Sequence, residues 1–257
     1  MLVGDPAAPV LEPADARHLE RVLRLAPGEV VVATDGRGRW TRCRYRGGGT
    51  LEVDGPVELD AAPFPALTVA FAPVKAERPE WVVQKLTELG VDRIVVLSTT
   101  RSVVRWDSGR ARAVLDRLRR VATVAAAQAR RVWLPEVAGV VGLGDLEDLV
   151  GLEGLEGLEG LEGLEGIEGI ETVSGVPGRA GSDRSGIALA EPGGPPPAPE
   201  LTTIAVGPEG GWSPEELSSG LPTVSLSAHV LRAETAAIAA GVLLGALRAG
   251  TVSRHRL

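Results

Sequence analysis

The stretch IAVGPEGGWSPEEL, residues 204–217, decides how this chain folds. An apolar run ends at Val206, and Gly207-Pro208-Glu209-Gly210-Gly211 follows as a tight loop. Ser213 then precedes Pro214, with Glu216 three residues after the serine. That is the pattern of a capping box with proline in the first helical position. The segment therefore reads as a buried strand, a glycine loop and a helix. Glycines at the carboxyl end of a parallel strand let backbone approach a ligand closely, and α/β sheets bind their ligands there. Taken alone the loop is ambiguous. It lacks the Lys-Ser/Thr ending of a phosphate loop and the spacing of a dinucleotide fingerprint.

Working outward, SLSAHVLRAETAAIAAGVLLGALR (225–248) repeats the plan. The end of a strand, TVSL at 223–226, leads through a short loop to a helix from 234 to 248. That helix is apolar almost all round, so it is expected to pack on two sides. Upstream, LTVAFAP (67–73), DRIVVLST (92–99), LPEVA (134–138) and LTTIAV (201–206) read as strands. PEWVVQKLTELG (79–90) is a helix with proline at its start and glycine at its end, and 108–131 is a long amphipathic helix. Strands of continuous apolar residues alternating with helices imply a parallel sheet covered on both faces. The fold class is α/β.

The first 64 residues differ. DARHLERVLRL (15–25) reads as a short helix, with Leu19, Val22, Leu23 and Leu25 on one face. EVVVATDGRGRWTRCRYR (29–46) reads as two strands around an Asp35-Gly36 turn, and LEVDGPVEL (51–59) as one more. This is a small β-rich module over 1–64, joined through Pro63-Phe64-Pro65 to a second domain over 65–257. A break at 142–200 interrupts the second domain. It holds seven triplets, GLEGLEGLEGLEGLEGIEGIE (151–171), and a proline-rich run, EPGGPPPAPE, with GIALA (186–190) as a candidate short strand before that run. Glycine at that density opposes helix, and a glutamate in every triplet opposes burial, so 151–185 is expected to be a disordered insertion without a catalytic role. The alternative is an acidic arm that repels RNA or recruits a basic partner.

Charge and cysteine usage narrow the class. The net charge of −7 arises from 34 acidic against 27 basic residues, and the triplets supply seven of the glutamates. The rest of the chain is neutral, yet its arginines are segregated. Eight fall between Arg17 and Arg46 against Glu20, Glu29 and Asp35, and nine between Arg101 and Arg131 against Asp107 and Asp116. Local surpluses of this kind suit a phosphate backbone. One cysteine, Cys43, excludes an intrachain disulfide and a cysteine-built zinc site. No run of about 18 apolar residues is present, so no membrane span is expected. Met1–Val10 carries Asp5 and two prolines without a basic flank, so no leader peptide is expected there.

The order strand–GPEGG–helix–strand–LxxxxLRxETA–helix resembles the SPOUT methyltransferases, and in particular the ribosomal RNA small subunit methyltransferase E family. HLERVLRLAPGE (18–29) with Asp35-Gly36 looks like that family's N-terminal PUA-like module. KAERPEWVVQKLTELGV (75–91), Arg101 in TTRSVV and Gln128-Ala129-Arg130-Arg131 fit its first helices. The resemblance covers nearly the whole chain. It implies a parallel sheet with a C-terminal trefoil knot, a homodimer with its site completed at the subunit interface, and a cytoplasmic location. It implies N3-methylation of a uridine in 16S rRNA of the 30S subunit, with S-adenosylmethionine as donor. The donor would bind bent, against Gly207, Pro208, Glu209, Gly210 and Gly211, and against Leu226, Ser227, Ala228, Val230 and Leu231. The chain departs from the family at Ser227 and His229, where glycine and arginine are usual, at Ala127, where an acid is common, and at its first residues.

Chemistry limits the candidates further. The N3 of uracil must lose a proton, and the resulting charge on the carbonyl oxygens must be stabilised. The sulfonium is already activated, so no metal is required. Arg232 and Glu234 are the candidate catalytic side chains, at the start of the last helix; the alternative is a structural ion pair fixing the loop. Glu209 reads either as a base or ammonium binder or as a loop-tip acid. His229, despite a suitable pKa range, reads as a solvent-facing loop residue. His18 and His255 read as surface and tail. Candidates for RNA are Arg21, Arg24, Lys75, Lys85, Arg101, Gln128 and Arg131, the arginines as phosphate contacts. For Lys85 an ion pair with Glu88 on the same helix is the competing role. Trp40, Trp106 and Trp212 are candidates to stack on a base. Rival readings are a SPOUT enzyme acting on another RNA or on a ribose hydroxyl, a non-catalytic RNA-binding assembly factor, and a nucleotide-binding protein.

Overall fold

A computed structural model of the chain describes residues 1–73, 78–102, 106, 108–151 and 186–252. The glutamate triplets, Lys75 and His255 lie outside the described residues.

The N-terminal module is built on alternation. Strands β1 (Val30–Thr34), β2 (Arg39–Gly47) and β3 (Thr50–Val53) form an antiparallel sheet in that order, with β4 (Glu58–Leu59) also pairing with β2. Along β2, Thr41, Cys43 and Tyr45 are buried while Arg42, Arg44 and Arg46 face out, the period of a half-buried strand. The single strand expected at 51–59 is two. Asp54-Gly55-Pro56 breaks it, since Pro56 has no N–H for the ladder and Gly55 sits at φ +147°. The helix expected at 15–25 is also irregular. A turn of α-helix, α1 (Pro13–Arg17), runs into a π-helical turn at His18–Val22, where the Leu23 amide donates to the His18 carbonyl. Arg24, at φ +52°, ends it.

The second domain is a six-stranded parallel sheet. Its elements are β5 (Thr68–Phe71), α2 (Arg78–Glu88), β6 (Arg93–Leu97), α3 (Ser108–Gln128), β7 (Glu136–Val141), α4 (Leu143–Gly151), β8 (Ile187–Ala190), β9 (Thr203–Val206), α5 (Pro214–Leu217), β10 (Thr223–Val224) and α6 (Ala233–Arg248). The strand order is β10-β8-β9-β5-β6-β7, and every pair is parallel. All residues of β5, β6 and β9 are buried, as a sheet covered on both faces requires. Alternate residues feed two cores. Val69, Phe71, Ile94, Val96, Ile204 and Val206 pack with residues of α2, α3 and α6. Ala70, Val95, Leu97, Leu189 and Ala205 pack with Leu146 of α4, Trp212 and Leu221.

The break at 142–200 contains α4, a helix the sequence reading did not expect, and the candidate strand GIALA supplies β8, an inner strand between β10 and β9. The last helix buries one side only within the chain. Ala237, Ala240, Gly241 and Leu244 are inside, whereas Val242 stays 47% exposed.

The two halves are joined by more than a linker. The Gly36 carbonyl accepts from the Leu134 amide at 2.9 Å, and the Gly38 amide donates to the Val132 carbonyl at 3.1 Å. Trp133 Nε1 donates to the Asp60 carbonyl at 3.1 Å. A Cβ on Gly38 would fall 2.6 Å from the Trp133 indole, so only glycine lets the hairpin lie against the segment between α3 and β7.

Candidate ligand cleft at the carboxyl ends of the central strands

Strands β8, β9 and β10 end together, and the loops that follow them enclose a cleft of about 610 Å³. That is within the range of roughly 300–1,000 Å³ for small-molecule sites. Its position, on the side of the sheet where connections reverse, is where α/β sheets bind ligands.

The loop after β9 is fixed from three directions. Within the loop, the Gly211 amide donates to the Pro208 carbonyl at 2.8 Å, with Gly211 at φ +70°. From β8, the Ala190 carbonyl accepts Trp212 Nε1 at 3.0 Å, and the buried indole lies where a Cβ on Gly207 would meet it at 3.0 Å. From the loop after β6, Arg101 Nη1 donates to the carbonyls of Gly210 at 3.2 Å and Trp212 at 3.0 Å. The capping box expected at α5 is present: Ser213 Oγ accepts from the Glu216 amide, and Glu216 accepts from the Ser213 amide. The other oxygen of Glu216 accepts the Thr100 amide at 2.8 Å. Glu215's own amide, then the Ser213 hydroxyl, hold its carboxyl below the usual range, with Arg101 adding in the same direction.

The loop after β10 is held by its serines. Ser225 Oγ donates to the Ser227 carbonyl at 2.9 Å, and Ser227 Oγ accepts the His229 amide at 3.1 Å. Ser227 therefore performs a local closing role that glycine would lack. The loop after β8 turns back against β10: the Glu191 amide donates to the Val224 carbonyl and the Ser225 amide to the Pro195 carbonyl. Helix α6 starts at the cleft with Arg232 as its N-cap residue, whose side chain makes no capping bond.

Eight of the ten expected donor-binding residues line the cleft: Gly207, Pro208, Glu209, Gly211, Leu226, Ser227, Val230 and Leu231. Gly210 and Ala228 do not line it. Arg232 lines it, whereas Glu234 is 7% exposed in the first turn of α6 and is not among the lining residues. The sequence reading missed Glu191 and Pro192, and it offered Trp212 as a base-stacking residue where it lines the cleft from the core; His229 is exposed, as read, at the cleft. Glu191 was hidden because it directly follows β8, a short strand, at the start of the proline-rich run. With glycine backbone on one wall, Leu226, Val230, Leu231 and Ala236 on another, and the polar groups of Glu191, Glu209 and Arg232, the cleft fits the amphiphilic donor that the resemblance implies.

The RNA candidates separate. Arg21 and Arg24 are exposed beside the π-helical turn, and Gln128 is exposed at the end of α3. Lys85 pairs with Glu88 at 2.6 Å, the intrahelical alternative. Arg131 corrects the reading. It is almost buried, donating to the carbonyls of Thr87 and Val91 and to Asp92. Burial pushes its pKa down while Asp92 opposes the shift, so this guanidinium serves the interior. Among the tryptophans, Trp212 is core, Trp106 packs against the core and Trp40 donates to Asp60. Among the described residues no cluster of His, Cys, Asp and Glu could hold a metal ion, and no helix is long and apolar enough to cross a membrane.

Comparison with known proteins bears on this geometry. The model of an RNA methyltransferase domain matches residues 61–151 and 185–245, and that of an RNA methyltransferase PUA domain matches residues 11–54. The ribosomal RNA small subunit methyltransferase E of Mycobacterium bovis is 33% identical over 248 residues, which cover 94% of this chain and 86% of that protein. A methyltransferase from Legionella pneumophila, solved in complex with bound S-adenosylmethionine, superposes with a TM-score of 0.67 at 25% identity, over 92% of this chain and 90% of that one. A ribosomal RNA small subunit methyltransferase E from Neisseria gonorrhoeae, also bound to S-adenosylmethionine, gives a TM-score of 0.66 at 24% identity with the same coverage.

Proposed function

The chain belongs to the ribosomal RNA small subunit methyltransferase E family, and from that premise we propose that it methylates N3 of a uridine in 16S rRNA, using S-adenosylmethionine. The observation that carries the reading is the convergence of the 207–211 and 225–231 loops on one cleft at the strand ends. Bound there, the donor supplies an electrophilic methyl group on a sulfonium that leaves as a neutral thioether.

The chain's own residues do the rest. Backbone from Gly207 to Gly211, packed against Trp212, would present fixed polar groups to the donor. Leu226, Val230 and Leu231 would give its apolar surface a matching wall. Glu191 and Glu209 supply negative charge for a cationic ligand. Arg232, exposed at the mouth of the cleft, binds a uracil carbonyl and stabilises the negative charge that appears when N3 loses its proton. Glu234 orients the first turn of α6. Arg21, Arg24 and Gln128 are the described side chains offered to RNA, and the PUA-like module is held against the methyltransferase domain through Gly38 and Trp133.

The same reading extends to assembly. Val230 is 81% exposed at the cleft, and Val242 of α6 is also open, as expected where a second copy completes the site. The C-terminal trefoil knot implied by the resemblance belongs to the same reading; at that end the chain at 194–195 lies against Val224 and Ser225. A cytoplasmic location goes with this reading.

The test is to incubate the purified protein with labelled S-adenosylmethionine and unmodified 30S subunits, then to map methylated nucleosides by mass spectrometry. N3-methyluridine in 16S rRNA is the expected product. Label on a ribose hydroxyl, on another base, or nowhere would overturn the reading.

A further inference from the structure

We propose that Arg101 is a positioning residue of the donor cleft, which holds the carbonyls of Gly210 and Trp212 and thereby sets the shape of the glycine loop. The proposal rests on the reading of that cleft as the donor site. It gives Arg101 a role different from the RNA contact expected from the sequence.

The loop cannot hold itself. Gly211 sits at φ +70° with no atom within 4 Å of where its Cβ would be, so no side-chain packing fixes the turn. Its one internal backbone bond joins Gly211 to Pro208. The two carbonyls that bracket Gly211 are instead held by a single nitrogen, Nη1 of Arg101, at 3.2 and 3.0 Å. The amides that follow those carbonyls are committed too, Gly211 to Pro208 and Ser213 to Glu216. Both peptide planes are thus fixed at both ends, and two of the four anchors, both from Arg101, come from outside the loop and its helix.

Its origin makes the arrangement useful. Arg101 follows β6, which lies two strands away from β9. The segment that carries it is itself braced, with Thr99 Oγ1 and Ser102 Oγ 2.7 Å apart and the Thr100 amide on Glu216. Arg101 and Thr100 therefore act as a pair, one on the loop and the other on the cap of α5. Charge matters because a guanidinium bonded to neutral carbonyls makes stronger hydrogen bonds than a neutral donor. A phosphate contact by the same side chain would instead be read through salt dependence, since each neutralised phosphate contributes about −0.9 to the slope of log K against log salt.

The experiment compares wild type, Arg101→Ala and Arg101→Lys. Calorimetric titration with S-adenosylmethionine is paired with binding of a 16S rRNA fragment across a salt series. The alanine variant is expected to bind the donor roughly tenfold more weakly, and its KM for donor rises while kcat at saturating donor stays within about twofold. Its RNA salt slope is unchanged. The lysine variant keeps the charge without the guanidinium geometry and retains most of the donor defect, which also decides the matter if the alanine variant does not fold. Unchanged donor affinity in either folded variant overturns the proposal. A salt slope reduced by about one in the alanine variant and restored by lysine overturns it in favour of a phosphate contact. Absence of donor binding by wild type overturns the cleft reading and this proposal with it, whereas wild-type binding matched by the variants overturns this proposal alone.

Discussion

Arg131 and Asp92 form a nearly buried ion pair, Nη2 to Oδ1 at 3.2 Å, at the amino ends of the strands and opposite the cleft. The second oxygen of Asp92 accepts from Arg248 at the end of α6 and from the Leu67 amide. Arg248 also reaches the carbonyls of Pro65 and Gly90, and Arg131 those of Thr87 and Val91. One carboxylate thus ties the entry to β5, the α2–β6 turn, the end of α3 and the end of the chain's last helix. Removing it leaves two guanidinium groups without their counter-charge.

Asp92→Ala is therefore expected to lower stability by about 3 kcal/mol, the scale for breaking a buried pair. The denaturant midpoint should fall with little change in slope. Donor affinity of the folded protein should be unaffected, because the network lies at the other end of the sheet. Arg131→Ala should likewise lower the midpoint and leave the salt slope of RNA binding unchanged. A reduced slope without a stability loss would return Arg131 to the RNA surface.

Much of this architecture was legible. Continuous apolar runs announced β5, β6 and β9, and Ser213, Pro214 and Glu216 announced the capping box. What escaped has a physical explanation. Strand β8, read from GIALA as a candidate strand, has only four residues, and between glycine-rich repeats and prolines neither its place inside the sheet nor the role of Glu191 just after it was legible. Arg131 looked like part of a basic surface, since a sequence shows its charge but not the carbonyls of α2 and its following turn that surround it. The loop residues of the cleft were easier to read, because glycine and capping residues carry their conformational reasons with them.

Gly207→Ala tests how tightly the loop after β9 is packed. The added Cβ would lie 3.0 Å from Trp212 Cε2, and the indole cannot swing away without breaking its bond to the Ala190 carbonyl. Overpacking of this kind costs about 1–3 kcal/mol, and donor affinity should drop by a similar factor. Pairing the change with Trp212→Phe, which removes ring volume, should recover part of both losses. Donor affinity that stays at the wild-type level in Gly207→Ala would show that the loop yields easily.

Gly38→Ala addresses the seam between the domains. At φ +91°, its Cβ would fall 2.6 Å from Trp133 and 2.7 Å from the Asp60 carbonyl oxygen. The hairpin would have to move away from the segment at 132–134. Affinity for a 16S rRNA fragment should fall roughly tenfold, on the scale of one or two lost contacts. Calorimetry with donor alone should give the wild-type constant. Equal losses in both titrations would mean that the seam supports the whole fold and not the relative placement of the two domains.

The two candidates at the start of α6 should separate by kind of defect. Arg232 is exposed, lines the cleft and makes no capping bond, so little of the fold depends on it. If it stabilises charge that develops on the uracil carbonyls, Arg232→Ala should reduce single-turnover methylation about 100-fold, while donor affinity changes no more than about twofold. Arg232→Lys should recover part of the rate, as a point charge without the planar fork. Glu234, by contrast, is nearly buried, and its conservative change to glutamine should lower the melting temperature as well as the rate. A donor-binding loss in Arg232→Ala as large as the rate loss would assign that arginine to donor binding instead. A rate loss in Glu234→Gln at unchanged stability would make the glutamate the chemical participant.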